Sequence, residues 1–134
     1  MSRTTIGWLA IAGVLALTVW ASLPNSPLFG WAADLVPGGD KTGHVLVMGA
    51  LAAACVVAFS YRRVGGVRLT PGRVLGAVAL GATADELVQA ALATRTFDWL
   101  DLAASLAGVA LLGGLAAAVV SRRGDPKGAA PGAA

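Results

Sequence analysis

Polar side chains that could do chemistry occur in three short groups, each inside or beside a long apolar run. The third apolar run contains two adjacent carboxylates and a carboxamide, namely Asp85, Glu86 and Gln89. A carboxylate within an apolar helix is costly, so it usually faces a bundle interior or a wet cavity. The other two groups carry basic and acidic side chains that could partner it: Asp40, Lys41 and His44, and then Arg95, Asp98 and Asp101.

Two of these side chains could transfer protons. His44 as a base and Glu86 as an acid or second base are the candidate catalytic residues. The sequence offers no clear nucleophile beside them, and a lone histidine is a weak metal-ligand signal. The favoured interpretation of His44 is instead a hydrogen-bonding residue at the membrane interface. Whether the chain is an enzyme is therefore left open.

The acidic pair at the start of the fourth apolar run admits several roles. Asp98 and Asp101 could bind a divalent cation together with Glu86, or they could pair with Arg95. They could also cap a helix, and Asp101 stands where an N-cap residue is expected. The donor set is incomplete for a metal, so we predict no metal site and no cofactor.

Composition indicates what surrounds these groups. Hydrophobic residues make up 57% of the 134-residue chain and charged residues 13%, whereas about a quarter of an average soluble domain is charged. Such a chain cannot cover a water-facing surface with polar groups, so we expect a bilayer around it. The basic residues lie between apolar runs rather than in a patch with aromatics, which argues against nucleic acid as a partner.

The apolar runs predict an all-α, polytopic membrane protein with a four-helix transmembrane bundle. The expected helices cover about residues 6–23, 44–61, 74–93 and 102–121, within one domain at 1–121, followed by a disordered cytoplasmic tail at 122–134. A signal peptide is the competing interpretation of the first run, but that run exceeds the usual signal core.

The distribution of basic residues predicts the orientation. Eight of the ten Lys and Arg residues would share one side: Arg3, Arg62, Arg63, Arg68, Arg73, Arg122, Arg123 and Lys127. Lys41 and Arg95 would lie on the other. The positive-inside rule then places both termini in the cytoplasm and the three polar groups at the outer face of a multi-pass plasma (inner) membrane protein.

Helical geometry favours convergence of the three groups. At 100° per residue, Asp85 and Glu86 span one arc that also contains Gln89. Asp40 and His44 are four residues apart, so both can face the third helix if the second helix begins early. We therefore expect a polar cavity in the outer leaflet.

Three motifs resemble those of the VanZ-like membrane protein family. They are Asp40-Lys41-x-x-His44, Asp85-Glu86-x-x-Gln89 and Arg95-Thr96-Phe97-Asp98-Trp99-x-Asp101, which together with the four apolar runs cover nearly all of residues 1–121. The family's pattern commonly has Asn where this chain has Ser105, and Pro-Gly where it has Ala93-Thr94. The resemblance implies a bacterial cell-envelope setting and a link to glycopeptide (teicoplanin-type) antibiotic resistance.

Two functions remain open at this level. In the first, the polar cavity binds a lipid head group or a cell-wall precursor. In the second, the same cavity is a membrane-embedded hydrolase or transferase that acts on a lipid-linked head group through His44 and Glu86. The sequence leaves the oligomeric state undefined.

Overall fold

A computed structural model describes residues 1–21, 39–91 and 97–124, and these residues are predominantly helical, which confirms the helical part of the predicted fold class. The elements in chain order are α1 (Arg3–Ala21), α2 (Gly39–Phe59), β1 (Arg63–Val64), β2 (Val67–Arg68), α3 (Pro71–Ala91), α4 (Trp99–Gly108), a π-helical segment (Val109–Gly113) and α5 (Gly114–Arg122).

Two helical stretches are long and apolar enough to cross a membrane. Lys41–Phe59 has a mean hydropathy of 2.0, and the continuous stretch Trp99–Arg122 has 2.1. The apolar part of α1 that the structure describes is shorter, at Thr4–Leu17. Helix α3 has 21 residues, but it includes Arg73, Asp85 and Glu86, which lower its hydropathy. A four-span bundle and the position of the termini stay predictions.

Three helices begin before their apolar runs, at residues that suit a helix N-terminus. Pro71 opens α3, where its missing N–H costs nothing, and the Thr70 hydroxyl accepts the N–H of Arg73 at 3.3 Å. Asp98 is the N-cap of α4. Helix α2 begins at Gly39, so Lys41 lies on its first turn. The expected interfacial loops are thus partly helical, and their polar side chains have defined directions.

A β-hairpin joins α2 to α3. Arg63 pairs with Arg68, and Val64 with Val67, around a two-residue turn. Gly65 and Gly66 have φ values of 56° and 81°, the left-handed conformations that a type I′ turn needs. The predicted helix bounds leave residues 62–73 as a loop, and Gly-Gly between two valines is the local signal for the hairpin that forms there.

Helix α2 lies at the centre of the described bundle and packs against α1, α3, α4 and α5. The start of α1 meets the end of α2, where the rings of Trp8 and Phe59 are 5.4 Å apart. The start of α2 instead meets the start of α4, where Lys41 contacts Asp101. Helix α1 is therefore antiparallel to α2, whereas α4 runs parallel to it.

The approach of α2 to α4 depends on glycine. A Cβ atom built on Gly49 would lie 2.9 Å from the carbonyl oxygen of Gly108, and one on Gly108 would collide with the carbonyl of Val45. Because neither glycine has a side chain, the two backbones can touch, as in small-residue helix packing in membranes. The sequence also places Ala110 and Gly114 four residues apart, but Gly113 rather than Gly114 faces Ala52.

The π-helical segment accounts for that shift by one residue. A π turn closes i→i+5 hydrogen bonds and so contains one more residue than an α turn. Gly108 and Gly113 are five residues apart and both pack against α2. The wider turn therefore keeps α5 facing the same neighbour as α4.

Among the described residues, small apolar side chains are buried and large ones are exposed, which is the opposite of what a soluble domain shows. The buried apolar residues are mostly small, namely Ala52, Cys55, Val56, Ala58, Val74, Ala82 and Val109. Large apolar side chains point outward instead, including Leu80 at 74%, Leu111 at 67% and Leu115 at 65% exposure. Soluble proteins bury such residues, so this exterior suits lipid rather than water.

Candidate functional site

The bundle has two chemically different ends. The arginine end carries Arg62, Arg63, Arg68, Arg73, Arg122 and Arg123. The opposite end carries what we call the polar cluster: Lys41, His44, Glu86, Asp98, Asp101 and Ser105. Three of these residues, Glu86, Asp101 and Ser105, are buried. Buried polar groups need partners, and the contacts within the polar cluster provide them.

Lys41 joins α2 to α4. Its Nζ donates to Asp101 Oδ1 at 2.7 Å and to Asp98 Oδ2 at 3.3 Å. The Lys41 side chain is 42% exposed, whereas that of Asp101 is 12% exposed. The lysine therefore reaches from the bundle rim to a largely enclosed carboxylate. We had expected Lys41 to be a partner of the α3 carboxylates, but among the described residues it pairs with α4 instead.

Asp98 caps the N-terminus of α4 and also forms an ion pair with Lys41. Its Oδ1 accepts the N–H of Leu100 at 2.7 Å, which satisfies one of the free donors at the α4 N-terminus. This backbone hydrogen bond, with a further contribution from Lys41, lowers the pKa of the Asp98 carboxyl below its ordinary value. The expectation that Asp101 is the N-cap is wrong, because Asp101 lies within the first turn of α4 and its carboxylate contacts Lys41 of α2.

His44 lies between two residues of α4. Its Nδ1 is 3.1 Å from Ser105 Oγ, and its Nε2 is 3.8 Å from Asp101 Oδ2. Asp101 and Ser105 are four residues apart on α4, so one helix face presents both to the imidazole. A hydroxyl, an imidazole and a carboxylate in this order could activate the hydroxyl as a nucleophile.

The contact between Ser105 and His44 is not predicted from the sequence. There, Ser105 only stands at a position that is commonly Asn in the VanZ-like family, and no nucleophile is identified. The signal that could have revealed it is the i, i+4 spacing from Asp101 on a helix that otherwise carries apolar residues. The partner on α2 is a tertiary contact across 61 positions.

Glu86 connects α3 to the beginning of α4. Its Oε1 accepts the backbone N–H of Asp98 at 3.2 Å, and the residue is 8% exposed. The carboxylate thus holds the segment that carries the Asp98 cap. Its buried position agrees with an inward-facing group, whereas a ligand-binding or proton-transfer role for Glu86 stays a prediction.

Asp85 faces a different space. It lines an apolar cleft of about 350 Å³ between α1, α2 and α3, together with residues such as Leu51, Cys55 and Val78. The adjacent carboxylates of α3 therefore lie in two different environments, Asp85 at the apolar cleft and Glu86 in the polar cluster, because neighbouring helical positions point about 100° apart.

Three predicted site residues have no described side-chain placement. Asp40 and Gln89 belong to α2 and α3, but their side-chain positions lie outside what the structure describes, and Arg95 lies outside the described residues altogether. Within the described ranges, no group of three His, Cys, Asp or Glu side chains is arranged to hold a metal ion. The tail predicted at 122–134 lies mostly outside the described residues, which end at residue 124.

Comparison with known proteins yields no match. Neither a protein-family model, nor a curated protein, nor a solved structure resembles this chain closely enough to count as one.

Proposed function

We propose that this chain is a VanZ-like multi-pass protein of the bacterial plasma membrane whose polar cluster binds a lipid head group or cell-wall precursor at the outer face. The main support is the ion pairing of Lys41 with both Asp98 and Asp101. Two further polar residues of the cluster, Glu86 and Ser105, are buried. Such polar groups are expensive in lipid and are retained where they bind something. The resemblance extends the proposal to a role in glycopeptide resistance.

The orientation is part of this proposal. The described arginines occupy the end of the bundle opposite Asp98 and Asp101, a separation that favours an arginine end in the cytoplasm. A cysteine at Val67 should then resist an impermeant thiol reagent added to intact cells, whereas one at Ser26 should react, both in a Cys55→Ala background. The opposite pattern would contradict the orientation and the outer position of the polar cluster.

Acidic groups outnumber fixed cations in the predicted site. Asp40, Asp85, Glu86, Asp98 and Asp101 stand against Lys41 and Arg95, five to two. Lys41 is also already engaged by two carboxylates. A head group that brings hydrogen-bond donors, such as hydroxyls or an amine, complements this charge better than a bare phosphate.

Native mass spectrometry of the protein released from nanodiscs tests head-group binding. We expect more retained phosphatidylglycerol, which has two free hydroxyls, than phosphatidic acid, which has none. Asp101→Asn should weaken phosphatidylglycerol retention about tenfold, the equivalent of one hydrogen bond to a charged group. The matched control is Arg63→Gln, a single charge change at the arginine end, which should have no effect. Equal retention by the wild type and Asp101→Asn would refute the binding site.

The contact between His44 and Ser105 favours a second candidate, a membrane-embedded hydrolase or transferase. His44 would accept a proton from the Ser105 hydroxyl, with Asp101 orienting the imidazole. An enzyme predicts that His44→Ala abolishes turnover of phosphatidylglycerol in nanodiscs while its binding persists. Head-group binding alone predicts no turnover in the wild type, and a larger loss of retention with Arg95→Ala than with His44→Ala.

A further inference from the structure

The apolar cleft beside α1 is a second feature that the polar cluster does not explain. Helices α1 and α3 both pack on α2, and the space between them holds about 350 Å³. That volume is within the range of ligand pockets, about 300–1,000 Å³. Leu15 and Gly81 on its walls are exposed, so the cleft opens to the surrounding medium.

The lining is apolar along its length and charged at one end. On α3 the wall runs from Val74 to Asp85, about 16 Å at the helical rise. Asp85 is the charged residue of this lining, and it precedes Glu86, which contacts Asp98 of the polar cluster. A long apolar slot that ends in a carboxylate complements an amphiphile with a hydrocarbon chain and a head that donates hydrogen bonds.

We propose that the cleft binds the hydrocarbon chain of a single amphiphile whose hydroxyl- or amine-bearing head lies at Asp85, toward the end of the bundle that carries the polar cluster. The assignment of the head rests on the proposed function, whereas the assignment of the chain rests on the shape and lining of the cleft. The ligand class is therefore a lipid whose head group donates hydrogen bonds.

Gly81 provides a direct way to fill the cleft. It lines the cleft, and a Cβ atom added there would meet nothing within 4 Å. Gly81→Leu should therefore fold and occupy the slot. Gly76 is the matched control, because it lies on the same helix, is also exposed, has equally open surroundings and does not line the cleft.

The experiment uses the full chain in phosphatidylcholine nanodiscs with a long-chain alkylamine that carries a mid-chain diazirine. After irradiation, we expect mass spectrometry to place the label on cleft residues such as Leu51 and Val78 rather than on the exposed Leu80 or Leu111. Gly81→Leu should reduce cleft labelling at least fivefold, Gly81→Ala should reduce it less, and Gly76→Leu should leave it unchanged (the fivefold expectation is about 1 kcal/mol in affinity).

The preference of the cleft for one head group over another is measured with probes that share one chain length and differ only in the head group. The alkylamine and the corresponding alcohol should label the cleft more strongly than the carboxylate of equal chain length, and Asp85→Asn should remove this preference. Equal labelling of cleft and exterior, or no effect of Gly81→Leu, would overturn the proposal.

If cleft labelling fails while Asp101→Asn still weakens phosphatidylglycerol retention, the chain site is wrong and the head-group site stands. If the cleft binds the alkylamine but Asp101→Asn changes nothing, the proposed function is wrong instead.

Discussion

Lys41 Nζ lies 2.7 Å from Asp101 Oδ1, although the two residues are 60 positions apart in the chain. This contact links the first turn of α2 to the first turn of α4, and Asp98 and His44 join it from either side. The parallel arrangement of α2 and α4 is what places these N-terminal turns next to each other. The polar cluster is therefore a property of this helix pair.

The coupling between Lys41 and Asp101 should be measurable in a double-mutant cycle. We expect Lys41→Gln and Asp101→Asn each to lower the melting temperature in detergent, because each leaves a polar partner unpaired. The double variant should lose less than the sum of the two, since the second change removes the group left unpaired by the first. Strict additivity would show that the contact contributes nothing.

The close crossing at Gly108 predicts a size limit. Gly108→Ala should destabilise the protein by about 1–3 kcal/mol, because its methyl group collides with the backbone of Val45 and forces α2 and α4 apart. Gly114→Ala on α5 is the control. Its surroundings are open, so the higher helix propensity of alanine should stabilise by up to about 1 kcal/mol. Unfolding in a denaturing detergent titration would compare them, and similar changes in both would refute the close packing.

Ser105 should contribute through its contact with His44. Ser105→Ala should cost about 1 kcal/mol, the typical net value of one hydrogen bond. It should also shift the ¹⁵N resonance of His44 Nδ1, a change that a loss of packing alone would not produce. Ser121→Ala, at an exposed position on α5, should stay within about 0.5 kcal/mol of the wild type. An unchanged His44 spectrum would contradict the contact.

Two substitutions separate the acceptor function of Glu86 from its charge. Glu86→Gln keeps an oxygen that can accept the N–H of Asp98, so the fold should persist. Glu86→Leu removes the acceptor and leaves a partly buried N–H without a partner, which should cost about 1–3 kcal/mol. Thermal unfolding in detergent distinguishes them. Equal losses would mean that the negative charge, rather than the acceptor, is what the bundle requires.

The Asp98 cap predicts a dependence of stability on acidity. Hydrogen bonding from Leu100, aided by Lys41, lowers the pKa of this carboxyl from 3.8. The folded-state pKa is thus below the unfolded one, so the stabilisation is present above 3.8 and is lost as the pH falls through the folded value. Asp98→Asn still caps the helix but does not titrate. Its melting temperature should therefore fall less between about pH 5 and about pH 2 than that of the wild type, and identical pH profiles would refute the role of the charge.

The amino-acid sequence determined the helical class and the location of the polar groups beside apolar runs. Apolar runs of helical length, and prolines and glycines between them, act locally, so their effect can be read without knowing any neighbour. The same holds for the Gly65-Gly66 turn and for the cap of α4, which is Asp98 rather than the expected Asp101. Local chemistry also indicates that Asp85 and Glu86 must find a polar environment.

Tertiary structure decided which groups meet. Lys41 could have paired with Glu86, but the glycine contact between Gly49 and Gly108 brings α2 against α4, so Asp101 becomes its partner. The π-helical segment and the cleft beside Asp85 likewise depend on how helices pack. Neither the hydrophobic periodicity of the sequence nor its amino-acid composition predicts them. The reason is physical: pairing energies depend on distances between side chains on different helices, and those distances are set only when the backbones come together.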